Sequence, residues 1–422
     1  MTVCGIIMEC SPLHRGHVHL LAEARKRTRA DYIVVALGGD FMQRGIPAVI
    51  DRHVRTRALL ESGADLVLEL PVYYACAAAG YFARGAVALL SAAGVVTDLA
   101  FGSESGDEAA LIRIAEILSR ETPEFRAAVK KALTGGASWP AARSLALAQV
   151  FGIEAPFLPN DLLGVEYLRE LDAQGSAIRP CIIPRISAAS ASALRAAMAD
   201  NAGTLPTSLQ EELPPAMSRE LRRAAGRCAP VFPDDFSAAL GWLLQSLDGD
   251  GRNASGLRLP EYMDVSEPLA ARILSLRGEY RGFTDFCSRL KTKDITYTRI
   301  SRALFHILLG MQTRSMEHYL NGGVIGYLRV LGFRQEAQPL LTAIASRSRV
   351  PLIGKLSDAE AALPPLFRSM LNEELRIARL YQAVCAQKFA AYPHPIRSEL
   401  ERPIIVIPES KNEQANPALR HS

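Results

Sequence analysis

Two histidines three residues apart at the mouth of a helix can bind phosphate, and His14-Arg15-Gly16-His17 has that spacing. The imidazoles of His14 and His17 can donate hydrogen bonds to phosphate oxygens as charge builds on them. Gly16 lets a nucleotide approach the backbone closely. The free N–H groups of the helix start add a fixed positive field. A plainer alternative is one loop histidine and one packed histidine. A second constellation is Pro184-Arg185-Ile186-Ser187-Ala188-Ala189-Ser190-Ala191-Ser192-Ala193-Leu194-Arg195. Either Ser190 or Ser192 can cap the helix that begins there. Their hydroxyls and Arg195 can meet a phosphate chain at its N-terminus. Taken alone, the segment reads better as a Ser-capped helix with a surface arginine. Neither the Gly-x-Gly-x-x-Gly fingerprint nor a P-loop is present.

The elements that must position these groups alternate between strand and helix. Val3–Met8 is an apolar run suited to a buried strand, and His19–Arg29 reads as a helix with Leu20, Leu21 and Ala24 on one face. Strands are predicted at Tyr32–Leu37, Leu66–Leu70 and Leu99–Phe101, with helices at Arg52–Ser62 and Tyr81–Ala92. This alternation predicts a parallel sheet in a doubly wound fold, which binds ligands beyond the carboxyl ends of its strands. Polar groups cluster at those ends: His14 to His17, Gly38-Gly39-Asp40-Phe41-Met42-Gln43-Arg44-Gly45, Glu69-Leu70-Pro71 and Gly102-Ser103-Glu104.

Residues 117–157 read as a helical excursion, and Phe157–Arg169 as a loop and helix. Prolines between Pro206 and Pro215 suggest a boundary. Beyond it, Met217–Ala225, Phe236–Leu247, Glu267–Arg277, Thr284–Leu290, Ile300–Leu309, Val324–Leu331 and Leu366–Phe389 all show helical periodicity. The expected organisation is an α/β unit over 1–203, a mostly helical unit over 204–395 and an extended tail over 396–422.

Composition narrows the class. The chain has 422 residues, 49% hydrophobic and 22% charged, which excludes a mainly disordered or collagen-like protein. A formal charge of +4 allows a nucleic-acid partner without requiring one. The seven scattered cysteines lack Cys-x-x-Cys spacing, so neither a disulfide scaffold nor a zinc cluster is expected. No secretory signal and no apolar run long enough to span a membrane is evident. A soluble, cytoplasmic protein with no obligate protein partner is the expectation.

One stretch of the second half suggests RNA. Lys291-Thr292-Lys293-Asp294-Ile295-Thr296-Tyr297-Thr298-Arg299-Ile300-Ser301-Arg302 carries four cations and an aromatic ring. Lys291, Lys293, Arg299 and Arg302 can position phosphates, and Tyr297 can stack on an unpaired base. The competing reading is a solvated helix face. Arg329 is a weaker RNA candidate, beside Leu331 and Phe333 as core.

Together these segments resemble the HIGH-type nucleotidyltransferase superfamily, with its Rossmann-like (HUP) sheet, and more narrowly the bacterial tRNA(Met) cytidine acetate ligase family. That family opens with Gly-Ile-(Ile/Val)-x-Glu-Tyr-Asn-Pro-Phe-His-Asn-Gly-His. Here the segment is Gly5-Ile6-Ile7-Met8-Glu9-Cys10-Ser11-Pro12-Leu13-His14-Arg15-Gly16-His17. The family's Ser-Gly-Asn-Phe-x-Gln-Arg-Gly-x-Pro-Ala aligns with Gly38 through Ala48. Gly63 to Pro71, Phe101 to Glu104, Pro159 to Leu168, Ser190 to Arg195, Lys291 to Arg302 and Gly326 to Phe333 match further family segments.

The resemblance implies activation of acetate by ATP as acetyl-adenylate, with release of diphosphate. The acetyl group then passes to N4 of the wobble cytidine of elongator tRNA(Met), leaving AMP. It also implies that ATP lies along Ile7–Leu20, the run ending in Val18, His19 and Leu20. Gly102, Asn160 and Arg185 would be further nucleotide contacts, and Mg²⁺ would accompany the triphosphate. The chain departs from the family pattern at Cys10, Ser11, Arg15 and Asp40. Asp40 stands where the family has Asn, so it is a candidate to bind Mg²⁺ or to position the cytidine amine. The family's Gly-x-Gly-Tyr-His-(Asp/Asn) loop is replaced by Ile186–Ala189, so a shortened or rebuilt lid is expected. Two alternatives stay open: a small-molecule adenylyltransferase using the same His-Arg-Gly-His site, and a non-catalytic tRNA-binding protein.

Overall fold

The structure is a computed structural model that describes residues 1–409 except 138, 155–157, 202, 294, 392–395 and 397. An eight-stranded sheet forms its centre. Seven strands run in the order Ile405–Ile407, Leu328–Arg334, Leu66–Leu70, Tyr32–Gly38, Val3–Met8, Asp98–Ser103 and Arg179–Pro184, and Leu352–Ile353 pairs beside Leu328–Arg334. The five strands from the first half are mutually parallel. Their apolar runs fit burial on both faces. Ile6, Met8, Ile33 and Val35 join one core layer, while Val3, Ile7, Val34 and Ala36 join the other. Helices Arg15–Thr28 and Arg52–Glu61 lie on the first layer's side, and Ala79–Ala92 on the second.

The strand order creates the site. From Val3–Met8 the chain moves one way to Tyr32–Gly38 and Leu66–Leu70. It then returns to lay Asp98–Ser103 on the other side of Val3–Met8. That reversal opens a crevice at the carboxyl ends of these strands, where doubly wound sheets bind ligands.

The helices expected in the second half are present, from Pro215–Ala224 to the long Pro365–Lys388. Val324–Leu331, expected as a helix, is not one. Its residues enter the strand Leu328–Arg334, antiparallel to Leu66–Leu70, with Leu66 opposite Phe333. Apolar residues at 324, 327, 328 and 331 fit the helical period, but the sheet offers burial on both faces. A side chain at Gly332 would also meet the Ile405 carbonyl oxygen at 2.7 Å, so this strand depends on glycine to take its edge neighbour. Ile405–Ile407, expected in an extended tail, is that neighbour. The part of the tail from 410 to 422 lies outside the described residues.

Strands thus cross the division expected near residue 204, and one apolar cluster runs from Val3 to Cys385. Phe41, in the short hairpin strand Phe41–Met42 after the second strand, has its ring centroid 5.4 Å from those of both Phe236 and Phe305. A buried ionic network joins the halves as well. Arg52 meets Glu69 at 2.6 Å, Glu374 at 2.9 Å and Glu399 at 3.0 Å. Arg329 meets Glu69 at 2.6 Å and Glu399 at 2.7 Å. Burial and the neighbouring Glu69 push the Glu374 carboxyl up to about 8, against the pull of Arg52. Removing one partner from such a buried network costs about 3–5 kcal/mol, because a desolvated charge is left behind.

Candidate active site

The crevice holds a cavity of about 450 Å³, within the range of small-molecule sites. Its floor is the end of the first strand, Ile7 to Ser11, and one wall is the start of helix Arg15–Thr28. His14 is the N-cap of that helix. Its Nδ1 accepts from Gly16 N at 3.1 Å, and His17 Nδ1 accepts from His14 N at 3.2 Å. The two rings lie 3.9 Å apart between centroids. A Cβ at Gly16 would come within 2.9 Å of the His14 ring, so the fold-back needs glycine there.

This reciprocal capping decides the tautomers. Each Nδ1 is an acceptor, so each neutral ring carries its proton on Nε2. Burial lowers His14 to about 4, reinforced by Arg185, and lowers His17 well below the ordinary imidazole value. Both rings are therefore neutral Nε2–H donors at neutral pH.

The opposite wall comes from the ends of Asp98–Ser103 and Arg179–Pro184. Asp161 accepts from Ser103 Oγ at 2.5 Å, Glu104 N at 3.0 Å and Ser105 N at 3.1 Å. This pins the loop after Asp98–Ser103 to helix Pro159–Ala173. Asn160 reaches the same loop through Glu104. Gly102 passes beside the Arg185 stem, and a Cβ there would sit 3.3 Å from it. Ser190 caps helix Ala191–Asp200 by accepting from Ala193 N at 3.1 Å. Ser192 instead accepts from Arg195 at 2.9 Å, and Arg195 also donates to the Ser11 carbonyl at 2.8 Å.

The cavity brings together most of the nucleotide contacts expected from sequence: Ile7 to Ser11, His14, Gly16, His17, His19 and Leu20, then Gly102, Asn160, Arg185, Ser190, Ser192 and Arg195. Pro12, Leu13, Arg15 and Val18 do not line it. Leu13 is fully buried in the core. Arg15 is exposed; it donates to the Ser187 carbonyl at 3.1 Å and pairs with Glu212 at 3.6 Å. These contacts, with Ala189 N donating to Glu212 at 3.1 Å, hold the short Ile186–Ala189 segment in place.

Three expected roles change. Asp40 does not face the cavity: it is buried, accepts from Arg52 N at 2.9 Å and lies 3.8 Å from both Arg52 and Arg55. An acid here is held by two arginines behind the sheet ends, so it neither reaches a metal in the cavity nor positions a base. Arg302 is buried and pairs with Asp264 at 2.8 Å. The side chain turns inward because helix Tyr297–Leu309 is packed nearly all round. Arg329 is buried in the ionic network rather than exposed to RNA. Lys291, Lys293 and Arg299 remain exposed, and Tyr297 is half-buried. Asp294 lies outside the described residues.

Sequence reasoning missed several contributors. Arg55 is fully buried and donates to the carbonyls of Ile50 at 3.1 Å, Glu9 at 2.6 Å, Gly38 at 3.0 Å and Gly39. It thereby ties the ends of the first two strands together beneath the cavity. Gln43, Arg44 and Thr298 line the cavity on the side of the second half. Ser301 donates to the Gly45 carbonyl there. Phe82, Phe101 and Tyr167 supply its apolar wall. The Gln-Arg-Gly run was a visible signal; Arg55, on a helix face, offered none.

Among the described residues, no group of three His, Cys, Asp or Glu side chains is placed to hold a metal, and no helix is long and apolar enough to cross a membrane. Glu9 is the one carboxylate in the cavity lining, so the described residues do not form a Mg²⁺ cage.

Comparison with known proteins agrees with this geometry. Residues 1–393 match the family described as HIGH Nucleotidyl Transferase. A tRNA(Met) cytidine acetate ligase of Fervidobacterium nodosum is 38% identical over 88% of this chain and 86% of its own length. Another, from Acetivibrio thermocellus, is 34% identical over 90% and 94%. A crystal structure of Thermotoga maritima TmcAL bound with alpha-thio ATP superposes with a TM-score of 0.87 at 30% identity, covering 97% of this chain and 100% of that one. The chain belongs to the HIGH nucleotidyl transferase family and, within it, to the tRNA(Met) cytidine acetate ligases.

Proposed function

We propose that this protein activates acetate with ATP, forming acetyl-adenylate and diphosphate, and then acetylates N4 of the wobble cytidine of elongator tRNA(Met). One observation carries the reading. A single cavity is lined by the paired histidines and Arg185 and also by Arg44 and Thr298, and the chain neighbour of Thr298, Arg299, is exposed. A small-molecule adenylyltransferase would need only the histidines and Arg185.

The first step needs no covalent enzyme intermediate. An acetate oxygen attacks the α-phosphorus of ATP, and diphosphate leaves. His14 and His17, as neutral Nε2–H donors, hydrogen-bond the phosphate oxygens, and Arg185 and Arg195 offset their charge. Gly102 and Asn160 hold the nucleotide against the sheet ends. In the second step the RNA amine attacks the acetyl carbonyl, which requires the wobble base to be splayed into the cavity. Lys291, Lys293 and Arg299 hold the phosphate backbone, and the half-buried Tyr297 stacks on an unpaired base. A cytoplasmic location follows from these substrates.

The test is acetate-dependent exchange of labelled diphosphate into ATP without tRNA. Exchange that needs acetate and disappears in H17A supports the reading. Exchange that needs a phosphorylated metabolite instead, or survives H17A, rejects it.

A further inference from the structure

Glu9 is left unused by the adenylation chemistry. It directly follows the first strand, lines the cavity with the histidine pair, and is tied to the Gln43–Arg44 turn. One carboxylate oxygen accepts from Gln43 N at 2.6 Å. The other has no hydrogen-bond partner among the described residues, and the residue forms no ion pair there. The backbone is fixed too, since its carbonyl accepts from Arg55 at 2.6 Å. A carboxylate beside a site for a triphosphate is unfavourable unless it serves something else. An acceptor-only group, rigidly held and half-satisfied, suits a substrate that brings a hydrogen-bond donor.

We propose that Glu9 selects and deprotonates the acceptor amine: its free carboxylate oxygen accepts a hydrogen bond from the exocyclic amine of cytosine and takes a proton as acetyl transfer proceeds. This rests on the proposed function. Carboxylates are the side chains suited to the cytosine N4 donor. Uracil presents a carbonyl oxygen at that position, which a carboxylate repels, so the same contact discriminates the two bases by roughly ten-fold to a hundred-fold.

The step balances. The N4 lone pair attacks the acetyl carbonyl carbon, forming the C–N bond. The bond from that carbon to the AMP phosphate oxygen breaks, and AMP leaves with the electron pair. The proton lost from N4 passes to Glu9 and then to solvent. Burial raises the Glu9 carboxyl above its ordinary value, while Arg195, Arg44 and Arg55 pull it down. That moves the base toward the operating pH, where general-base catalysis is more effective. The other titratable neighbours, Tyr167, Cys10 and Cys76, are held protonated through neutral pH by burial, and the two histidines are held neutral.

The experiment separates the two half-reactions. Full-length wild type, E9Q and E9D are loaded with ATP and labelled acetate, then mixed with tRNA(Met) and quenched over time. Acetate-dependent diphosphate exchange is measured on the same preparations. E9Q should lose about a hundred-fold or more in transfer beyond any loss in exchange. E9D should recover at least part of the transfer and keep an acidic limb in its pH profile. Transfer in E9Q that falls only in step with exchange, or stays at the wild-type rate, overturns the proposal. Should E9Q not fold, E9D decides: a transfer profile identical to wild type overturns the role, and a displaced one supports it. If wild-type enzyme makes no acetylcytidine, the proposed function itself has failed, whatever the variants do.

Discussion

His14 does two things with one ring, and substitution can separate them. Its Nδ1 caps helix Arg15–Thr28, and its Nε2–H is left for a phosphate. Asparagine is a good N-cap whose amide ends near the position of Nδ1, short of Nε2. H14N should therefore keep stability at pH 7 within about 1 kcal/mol of wild type, whereas H14A should lose about 1 kcal/mol more, the worth of the cap. Both should lose one donor to charge developing on the phosphate, about 3 kcal/mol or 10²–10³ in acetate-dependent diphosphate exchange. The pH response adds a second signature. Folding lowers His14 from 6.5 to about 4. Between those values the unfolded chain binds the proton and the native ring does not, so stability is complete above pH 6.5 and falls as pH drops toward 4. At 1.36 kcal/mol per unit this amounts to about 3 kcal/mol. H14N should remove that share of the acid-side loss in urea titrations run from pH 7 to pH 4. Equal acid sensitivity in H14N and wild type, or full exchange activity in H14N, refutes the reasoning.

R55K keeps the charge but cannot reach all four carbonyls that Arg55 serves; denaturant titration should show a loss of about 2–4 kcal/mol, with a raised KM for ATP. G45A places a Cβ at φ +67° and 2.3 Å from the Arg302 backbone nitrogen, so it should cost about 2–4 kcal/mol in the same assay. Replacing Lys291, Lys293 and Arg299 together by alanine should weaken tRNA binding and flatten the dependence of log K on log salt by about 2–3. R302A should instead cost about 3 kcal/mol of stability by stranding Asp264, with the salt slope unchanged.

The first half was legible because its chemistry is local. Continuous apolar runs announced four buried strands, and the polar clusters stood at their ends in sequence as they do in space; the edge strand Arg179–Pro184, only partly buried and without such a run, was not foreseen. The His14–His17 spacing also implied its own helix cap. What stayed hidden was long-range. Arg329 meets Glu69 across a sheet pairing that no local pattern foretold, and its segment fits two periods equally well. Arg302 follows the same basic stretch as Arg299, yet one faces solvent and the other Asp264. Asp40 sits in a motif that reads as functional, but its partners Arg52 and Arg55 come from the next helix and draw it behind the site. A buried charge declares its role only through partners, and here most partners lie far along the chain.

The destination of the acetyl group is the most direct test of the proposed function. Elongator tRNA(Met) is incubated with the protein, ATP and labelled acetate, then digested to nucleosides and separated. The expected result is label in N4-acetylcytidine from the wobble position, dependent on ATP, absent with H17A and formed about a hundred-fold more slowly with E9Q. Label that never enters cytidine, while ATP is consumed, contradicts it.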